Sequence, residues 1–486
     1  MTQRRAVLFT ALTELGYLAY YQVVASAPHT VTLFGWLPFG GLRAARPETA
    51  ALAYIVCLAV LFLLYAKMLS GLSLRPETRD DRNVVFAGAA LFSLTLIFLP
   101  ALLSKDLFDY MGHGRVLVVQ GANPFTRPAS DFPPDEFTRA MGWPGATPLY
   151  GPAWASLTAL LTLMGMGSFT GTVLLFKLSF AIVHLVNGFL VMRIAQGWEK
   201  LTGGPRPIRA AAFYLWNPLV LTQTVGDAHN DGVALMWLLT GIWLLQRRDD
   251  VTGAAAGAMS VLVKYVTAPV MLLFAVTRLR EAGPRRALLF AGICAGVALL
   301  AYAPYLSGFN AAHFLRPYEH SSYQGGMMML AEMSLGRLLP GPNEAGSPLA
   351  RALLGLSAVA ALGLGVWYLR ALWKVRDLRG ATESGTRLLL FYLLFVTALL
   401  RTSYVVWIVG LAAVIASVPL RRAVALFSCS VLALEVIWIY RLLLPQPAPP
   451  VNVARFLASA VAVGIPILYL LLHFPGLPWK IKENRS

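Results

Sequence analysis

The chain is 486 residues long, 57% of them hydrophobic and only 13% charged, about half the ~25% charge of soluble globular domains. Its 25 Phe, 18 Tyr and 12 Trp, with a mean hydropathy of +0.64, exclude intrinsic disorder and make a bilayer the expected solvent. The balance of 40 basic to 23 acidic residues gives +17, yet no basic run is interleaved with aromatics on a polar face, so nucleic acid is not the expected partner and basic cytoplasmic loops facing anionic lipid are.

A span takes about 20 residues at ~1.5 Å per residue, so about 10 to 13 spans with short loops use up the chain. No room remains for a separate nucleotide-binding domain, and residues 1–486 are read as a single integral membrane domain. The start, Met1 to Ala27, imitates a signal peptide with Arg4, Arg5 and small residues at Ala25 to Ala27; its long apolar stretch and the many spans behind it favour an uncleaved first span.

Predicted spans follow near 6–25, 49–70 and 84–103, with Arg4, Arg5, Arg75, Arg79 and Arg82 placing the N-terminus and the 71–83 loop in the cytoplasm. Segment 104–150 is then external. Residues 140–176 carry no charge, and two full crossings there would put Lys200, Arg206 and Arg209 outside. The positive-inside rule is kept if 150–166 dips in and returns as a re-entrant helix lining a cavity, while 171–195 crosses. Gly226 to Asp231 then faces outward and Arg247 and Arg248 return inside. Residues 251–277 are expected to go up and back, turning near Lys264 to Pro269, before the basic loop 278–286. Further spans are predicted near 287–306, 349–372, 387–400, 403–419, 423–443 and 453–474. The expected organisation is a catalytic-like module over 84–275, including external loop 104–150, and a C-terminal helical module over 287–474.

Polar chemistry gathers in the outward segments. Ser104-Lys105-Asp106-Leu107-Phe108-Asp109-Tyr110 stands at the outer end of a span, and a carboxylate in a partly dehydrated site there suits a general base; an interfacial cap is the plainer alternative. Asp227, His229, Asn230 and Asp231 form a dense polar patch that could hydrogen-bond a sugar or phosphate, or be a solvated turn with Asp231 as a helix cap. Lys264 has no charged neighbour from Val251 to Val263 or from Tyr265 to Thr277, and a lysine at that depth costs roughly 2.5–3.5 kcal/mol on insertion scales, so it needs a polar cavity or an anion such as a lipid phosphate. Arg316, Glu319 and His320 could contact phosphate or acceptor, as could Arg401 with Tyr404 and Trp407, whose rings equally suit an interfacial belt. Lys177 and Glu435 interrupt apolar runs without a neighbouring motif and are read as structural. Cys57, Cys294 and Cys429 lie in separate apolar runs and support neither a disulfide framework nor a zinc site. No P-loop, GxGxxG, HExxH or GxSxG stands in its required context.

Taken in order, Asp106 with Tyr110, Gly114-Arg115, Asn123-Pro124-Phe125, Tyr150-Gly151-Pro152, Asn217-Pro218-Leu219, His229-Asn230-Asp231 and Val263-Lys264-Tyr265 make residues 85–270 resemble the GT-C membrane glycosyltransferases. The nearest likeness is to the polyprenol-phosphate-mannose-dependent α-1,6-mannosyltransferases of actinobacteria. That resemblance implies an all-α polytopic enzyme of GT-C type with re-entrant or interfacial helices in its first large external loop. It further implies a polyprenyl-phosphate sugar as donor, a glycan or glycolipid as acceptor, and inversion at the anomeric carbon. The base role falls on Asp106, with Asp109 as a rival acid; Lys264, Tyr265, His229, Asn230, Asp231, Arg115, Tyr110, Asn123 and Tyr150 are expected around the donor sugar or phosphate. No metal ligand is assigned and no cofactor is firmly implied, although a divalent ion would suit a phosphate site. The expected location is a bacterial inner membrane with the active site on the extracytoplasmic face. A donor carrying arabinose, glucose or an amino sugar is an alternative within the class. A lipid or glycolipid transporter or flippase is the alternative outside it, expecting internal repeats and midplane charges.

Overall fold

A computed structural model describes residues 3–25, 47–74, 76–99, 104–202, 204–307, 323–339, 343–344, 346–443 and 451–473. Arg316, Glu319 and His320 lie outside the described residues. The protein is an all-α polytopic membrane protein, and among the described residues the sole β pairing is an isolated bridge between Gln324 and Leu399.

The first helices are α1 (Gln3–Ala25), α2 (Pro47–Ser73) and α3 (Arg79–Ile97). A capping box starts α3: the Thr78 hydroxyl accepts from the Asp81 N–H while the Asp81 carboxylate accepts from the Thr78 N–H. Then come α4 (Asp106–Val118), α5 (Glu136–Ala140), α6 (Pro152–Met164), α7 (Phe169–Thr202), α8 (Pro207–Leu215) and α9 (Pro218–Leu221). Proline at the first turn of α6, α8 and α9 sits where a missing N–H costs nothing. Glu77 satisfies the start of α8 from a distance, accepting from Ile208 N at 2.9 Å and Arg209 N at 2.8 Å. After α9 a π-helical turn, Thr222–Gly226, leads into α10 (Asp231–Gln246) and α11 (Asp250–Val263), which pack along each other.

Lys264 breaks the chain with an extended backbone (φ −150°, ψ 114°), and α12 (Ala268–Tyr302) runs back from it. That helix is itself interrupted at Gly283, whose φ of 81° is open to glycine at little cost, and Pro284 restarts it. The C-terminal half contains α13 (Gly326–Leu335), α14 (Pro348–Lys374), α15 (Leu378–Phe391), α16 (Val405–Val414), α17 (Val418–Ser430), α18 (Ala433–Leu443) and α19 (Asn452–His473).

Among the described residues, five helical segments are long and apolar enough to cross a membrane: Glu48–Ser73, Phe169–Glu199, Tyr265–Tyr305, Pro348–Lys374 and Asn452–His473. Several expected spans are shorter, broken pieces. The stretch 387–419 divides into the end of α15, a π-helical turn Tyr392–Val396, an extended link and the ten-residue α16, and 423–443 divides between α17 and α18. The breaks fall where backbone and side chains line a cavity that includes charged groups, the setting in which non-helical backbone at membrane depth is tolerated.

A large apolar core joins α1–α3 to α7–α10, α12 and α15–α19. Trp216 is representative: buried, edge-on to Phe92 with ring centroids 5.0 Å apart, and donating its indole N–H to Val85 O at 2.9 Å. A second cluster, with Leu107, Tyr110, Trp154, Phe180, Val233 and Val263, clamps α4 and α6 onto α7, α10 and α11. That cluster fixes the platform from which Asp106 projects.

Candidate active site

A cavity of about 750 Å³ opens beside the start of α4. Asp106, Asp109, Tyr110 and His113 reach it from α4, Tyr150 from the start of α6, and Asp227 and His229 from the polar turn before α10. The C-terminal half closes it with Gln324, Arg401, Thr402, Tyr404, Glu435 and Arg455.

Asp106 is the first residue of α4, its N–H donating to Ser104 Oγ at 3.2 Å. Its Oδ2 lies 3.8 Å from His229 Nε2, and the Tyr110 and Tyr150 hydroxyls stand off at 3.4 and 3.3 Å, long for hydroxyl–carboxylate bonds. Burial alone would raise the Asp106 carboxyl, but the His229 ring, the Ser104 hydroxyl, Arg401 and Lys264 outweigh it and hold this group below the ordinary carboxylate range. Its side chain keeps 35% of its surface open, on the cavity side. An ionised, reachable acceptor is the result.

His229 is oriented by its other nitrogen. Nδ1 lies 3.1 Å from Gln223 O, and since a carbonyl only accepts, Nδ1 donates there, which turns Nε2 toward Asp106.

Asp109 does a different job. Its Oδ1 accepts from Gly142 N at 2.9 Å and Trp143 N at 3.0 Å, pinning the loop that follows α5 against α4. Burial and the neighbouring Asp106 charge raise its carboxyl more than the two amides and Lys105 lower it, to about 6. His113, one turn further along α4, donates to Ala146 O at 3.2 Å, and burial pushes its ring down to about 4.

Lys264 finds a protein anion. Its Nζ lies 2.7 Å from Asp231 Oδ1 and 3.4 Å from Asn230 Oδ1, over the rings of Tyr150, Tyr404 and Trp407 at 5.3, 4.8 and 5.0 Å. Tyr404 and Trp407 stack with centroids 4.8 Å apart. An ion pair and three aromatic faces thus supply the polar surroundings that its depth demands.

Arg115, Asn123 and Tyr265, also singled out in the sequence, stand apart from the cavity lining. Arg115 pairs with Asp135 at 2.5 Å and lies over Phe137, while Asn123 donates to Tyr305 O and Ser307 O at 3.0 and 2.9 Å, latching its loop to the end of α12. Tyr265 meets the Tyr302 hydroxyl at 2.8 Å. Arg401 is drawn into the cavity beside Asp106, and among the described residues no carboxylate lies within ion-pair distance of it. Among the described residues no three His, Cys, Asp or Glu side chains converge as a metal-binding group would require.

Gln223, Thr402, Glu435 and Arg455 were not picked out as site residues from the sequence. Glu435 carried a signal, a carboxylate inside an apolar run.

A family model described as alpha-(1->6)-mannopyranosyltransferase, N-terminal domain, matches residues 11–280. Two relatives from Corynebacterium glutamicum are similar to this chain. Alpha-(1->6)-mannopyranosyltransferase A is 27% identical over 203 residues, covering 41% of this chain and 40% of the relative. Alpha-(1->6)-mannopyranosyltransferase B is 24% identical over 228 residues, covering 44% of this chain and 36% of the relative. The matches therefore span less than half the length of either relative.

Proposed function

This chain belongs to the alpha-(1->6)-mannopyranosyltransferase family, and we propose that it transfers mannose from a polyprenyl-phosphate donor to a glycan or glycolipid acceptor, with inversion and with Asp106 as base. The observation that carries this reading is the meeting of Asp106, His229 and Arg401 on one cavity. In the reaction, an acceptor hydroxyl oxygen bonds to C1 of the sugar as the C1–O bond to phosphate breaks. The hydroxyl proton goes to Asp106 and the electron pair leaves on the polyprenyl phosphate. A single displacement from the face opposite the phosphate inverts the anomeric carbon.

Each group has a separate task. Asp106 is ionised at neutral pH and accepts the proton. Arg401, free of a carboxylate partner among the described residues, offsets charge on the departing phosphate, aided by the His229 ring across from Asp106. Lys264 acts at one remove, holding Asp231, Tyr150 and Tyr404 around the site. A donor dissolved in the bilayer suits a protein with long apolar helices such as Glu48–Ser73 and Pro348–Lys374, and a bacterial inner membrane with the cavity on its extracytoplasmic side is the setting we infer.

The test is direct. Purified protein in proteoliposomes, given polyprenyl-phosphate [¹⁴C]mannose and a mannoside acceptor, is expected to form an α-linked product from a β-linked donor, its configuration read by NMR. Faster transfer from arabinose, glucose or amino-sugar donors would reassign the sugar. Labelled lipid crossing the membrane with no new glycosidic bond would overturn the transferase reading.

A further inference from the structure

His229 owes its place to one residue. The carbonyl of Gln223 receives both the His229 backbone N–H and its Nδ1, each at 3.1 Å. Gln223 lies in the π-helical turn 222–226, and Lys177 grips the end of that turn from α7, its fully buried ammonium donating to the Val225 carbonyl at 2.7 Å and to the Gly226 carbonyl.

The side chain of Gln223 is held from the opposite direction. Its Nε2 donates to Glu435 Oε1 at 2.7 Å and to Asp227 Oδ2 at 3.2 Å, so both amide protons are used on carboxylates. The Thr402 hydroxyl lies 2.5 Å from Glu435 Oε1 and 2.9 Å from Gln223 Oε1, and the Tyr54 hydroxyl donates to Glu435 Oε2 at 2.8 Å. Glu435 is 4% exposed and belongs to α18, beyond the stretch matched by the family model.

We propose that Glu435 is a positioning residue for the Asp106–His229 pair, acting through Gln223; this rests on the transferase reading above. The route is continuous: Glu435 and Thr402 fix the Gln223 side chain, the Gln223 carbonyl fixes the His229 ring, and the ring presents Nε2 to Asp106. Without Glu435 the Gln223 side chain keeps only Asp227 and Thr402, the turn that carries its carbonyl is held less firmly, and the imidazole loses its aim. The C-terminal half therefore sets the geometry of a pair that lies within the N-terminal domain. A carboxylate that merely satisfied Tyr54 and Thr402 would have no such link to His229.

A kinetic cycle separates the two roles. With polyprenyl-phosphate mannose and proteoliposomes, Glu435→Leu is expected to cut kcat about 10–100-fold, the scale of a misaligned reacting group, while leaving KM near its starting value. Glu435→Gln, whose amide oxygen still accepts from Gln223, is expected to recover most of that loss. In a His229→Ala background Glu435→Leu should cost less than about threefold more, because the ring that it aims through Gln223 is gone. The same fold-loss in both backgrounds, or a KM rise at constant kcat, would overturn the proposal. Should Glu435→Leu fail to fold, Gln223→Met serves in the same cycle, since it keeps the carbonyl and loses the side-chain anchor. Wild-type protein that makes no glycosidic product would bring down the transferase reading and this inference together; an additive cycle in active protein removes this inference alone.

Discussion

Asp106 Oδ2 and His229 Nε2 face each other at 3.8 Å, although 123 positions in the numbering separate them, and Asp109, one turn along the same helix, points its carboxylate into the backbone amides of Gly142 and Trp143 instead. Two acids three residues apart thus have different uses. Asp106→Asn is expected to reduce kcat by about 10²–10⁴-fold, the range for losing a general base. Asp109→Asn keeps an oxygen for both amides and should stay within about tenfold of wild type, a loss of about 1.4 kcal/mol at most. Steady-state kinetics on the two variants decides between them, and the reverse ranking would transfer the base role to Asp109.

The raised carboxyl of Asp109 also makes stability depend on pH. With a folded value of about 6 against an ordinary 3.8, the folded protein binds this proton more tightly than the unfolded chain between those limits. The resulting stabilisation is complete below pH 3.8 and lost as pH rises through 6, amounting to at most about 3 kcal/mol. The melting-temperature difference between wild type and Asp109→Asn in detergent should therefore fall between pH 4 and pH 6.5 and level off above it. A difference that grew with pH would contradict the assignment.

How much of this was legible beforehand follows from the range of the interactions. Apolar runs and flanking arginines are local, so the all-α architecture and the reversal at Lys264 could be read from the chain itself. The need of Lys264 for a polar partner was equally local, but that the partner is Asp231 within a ring of aromatics depended on how α10 and α11 pack. Glu435 is the clearer case: its partners Tyr54 and Gln223 lie 381 and 212 positions away, and periodicity carries no record of which distant residues meet. The short, broken helices around the cavity were hidden for a similar reason, since hydropathy registers an apolar stretch and not the turn that a polar neighbour imposes within it.

The Lys264–Asp231 pair is nearly buried, with side-chain exposures of 11% and 1%. Removing one charge strands the other, so Lys264→Met or Asp231→Asn should each destabilise by about 3–5 kcal/mol, whereas the double substitution should cost less than the sum. Thermal unfolding of the four proteins in one detergent measures the coupling. Additive losses would mean that the two groups do not depend on each other, and the role given to Lys264 in organising Tyr150 and Tyr404 would lapse.

Gly151 carries the junction between α6 and α11. A Cβ built there would lie 2.0 Å from the carbonyl oxygen of Leu262 and 2.6 Å from its carbon, and these are backbone atoms that cannot swing aside. The Gly151 N–H also donates to Val263 O at 3.2 Å, one residue before Lys264. Alanine must therefore push α6 away from α11, at about 1–3 kcal/mol for overpacking a tight contact. The displacement falls on Tyr150, whose ring covers Lys264 and whose hydroxyl stands 3.3 Å from Asp106, so activity should drop with stability. Gly292 provides the contrast: it lies within α12, and a Cβ there meets nothing within 4 Å. Alanine at 292 relieves only the conformational penalty of a helical glycine and should stabilise by about 0.5–1 kcal/mol. Melting temperatures and kcat for Gly151→Ala and Gly292→Ala, measured side by side, test whether the approach of α6 to α11 holds the site together; a Gly151→Ala protein with wild-type stability and turnover would show that it does not.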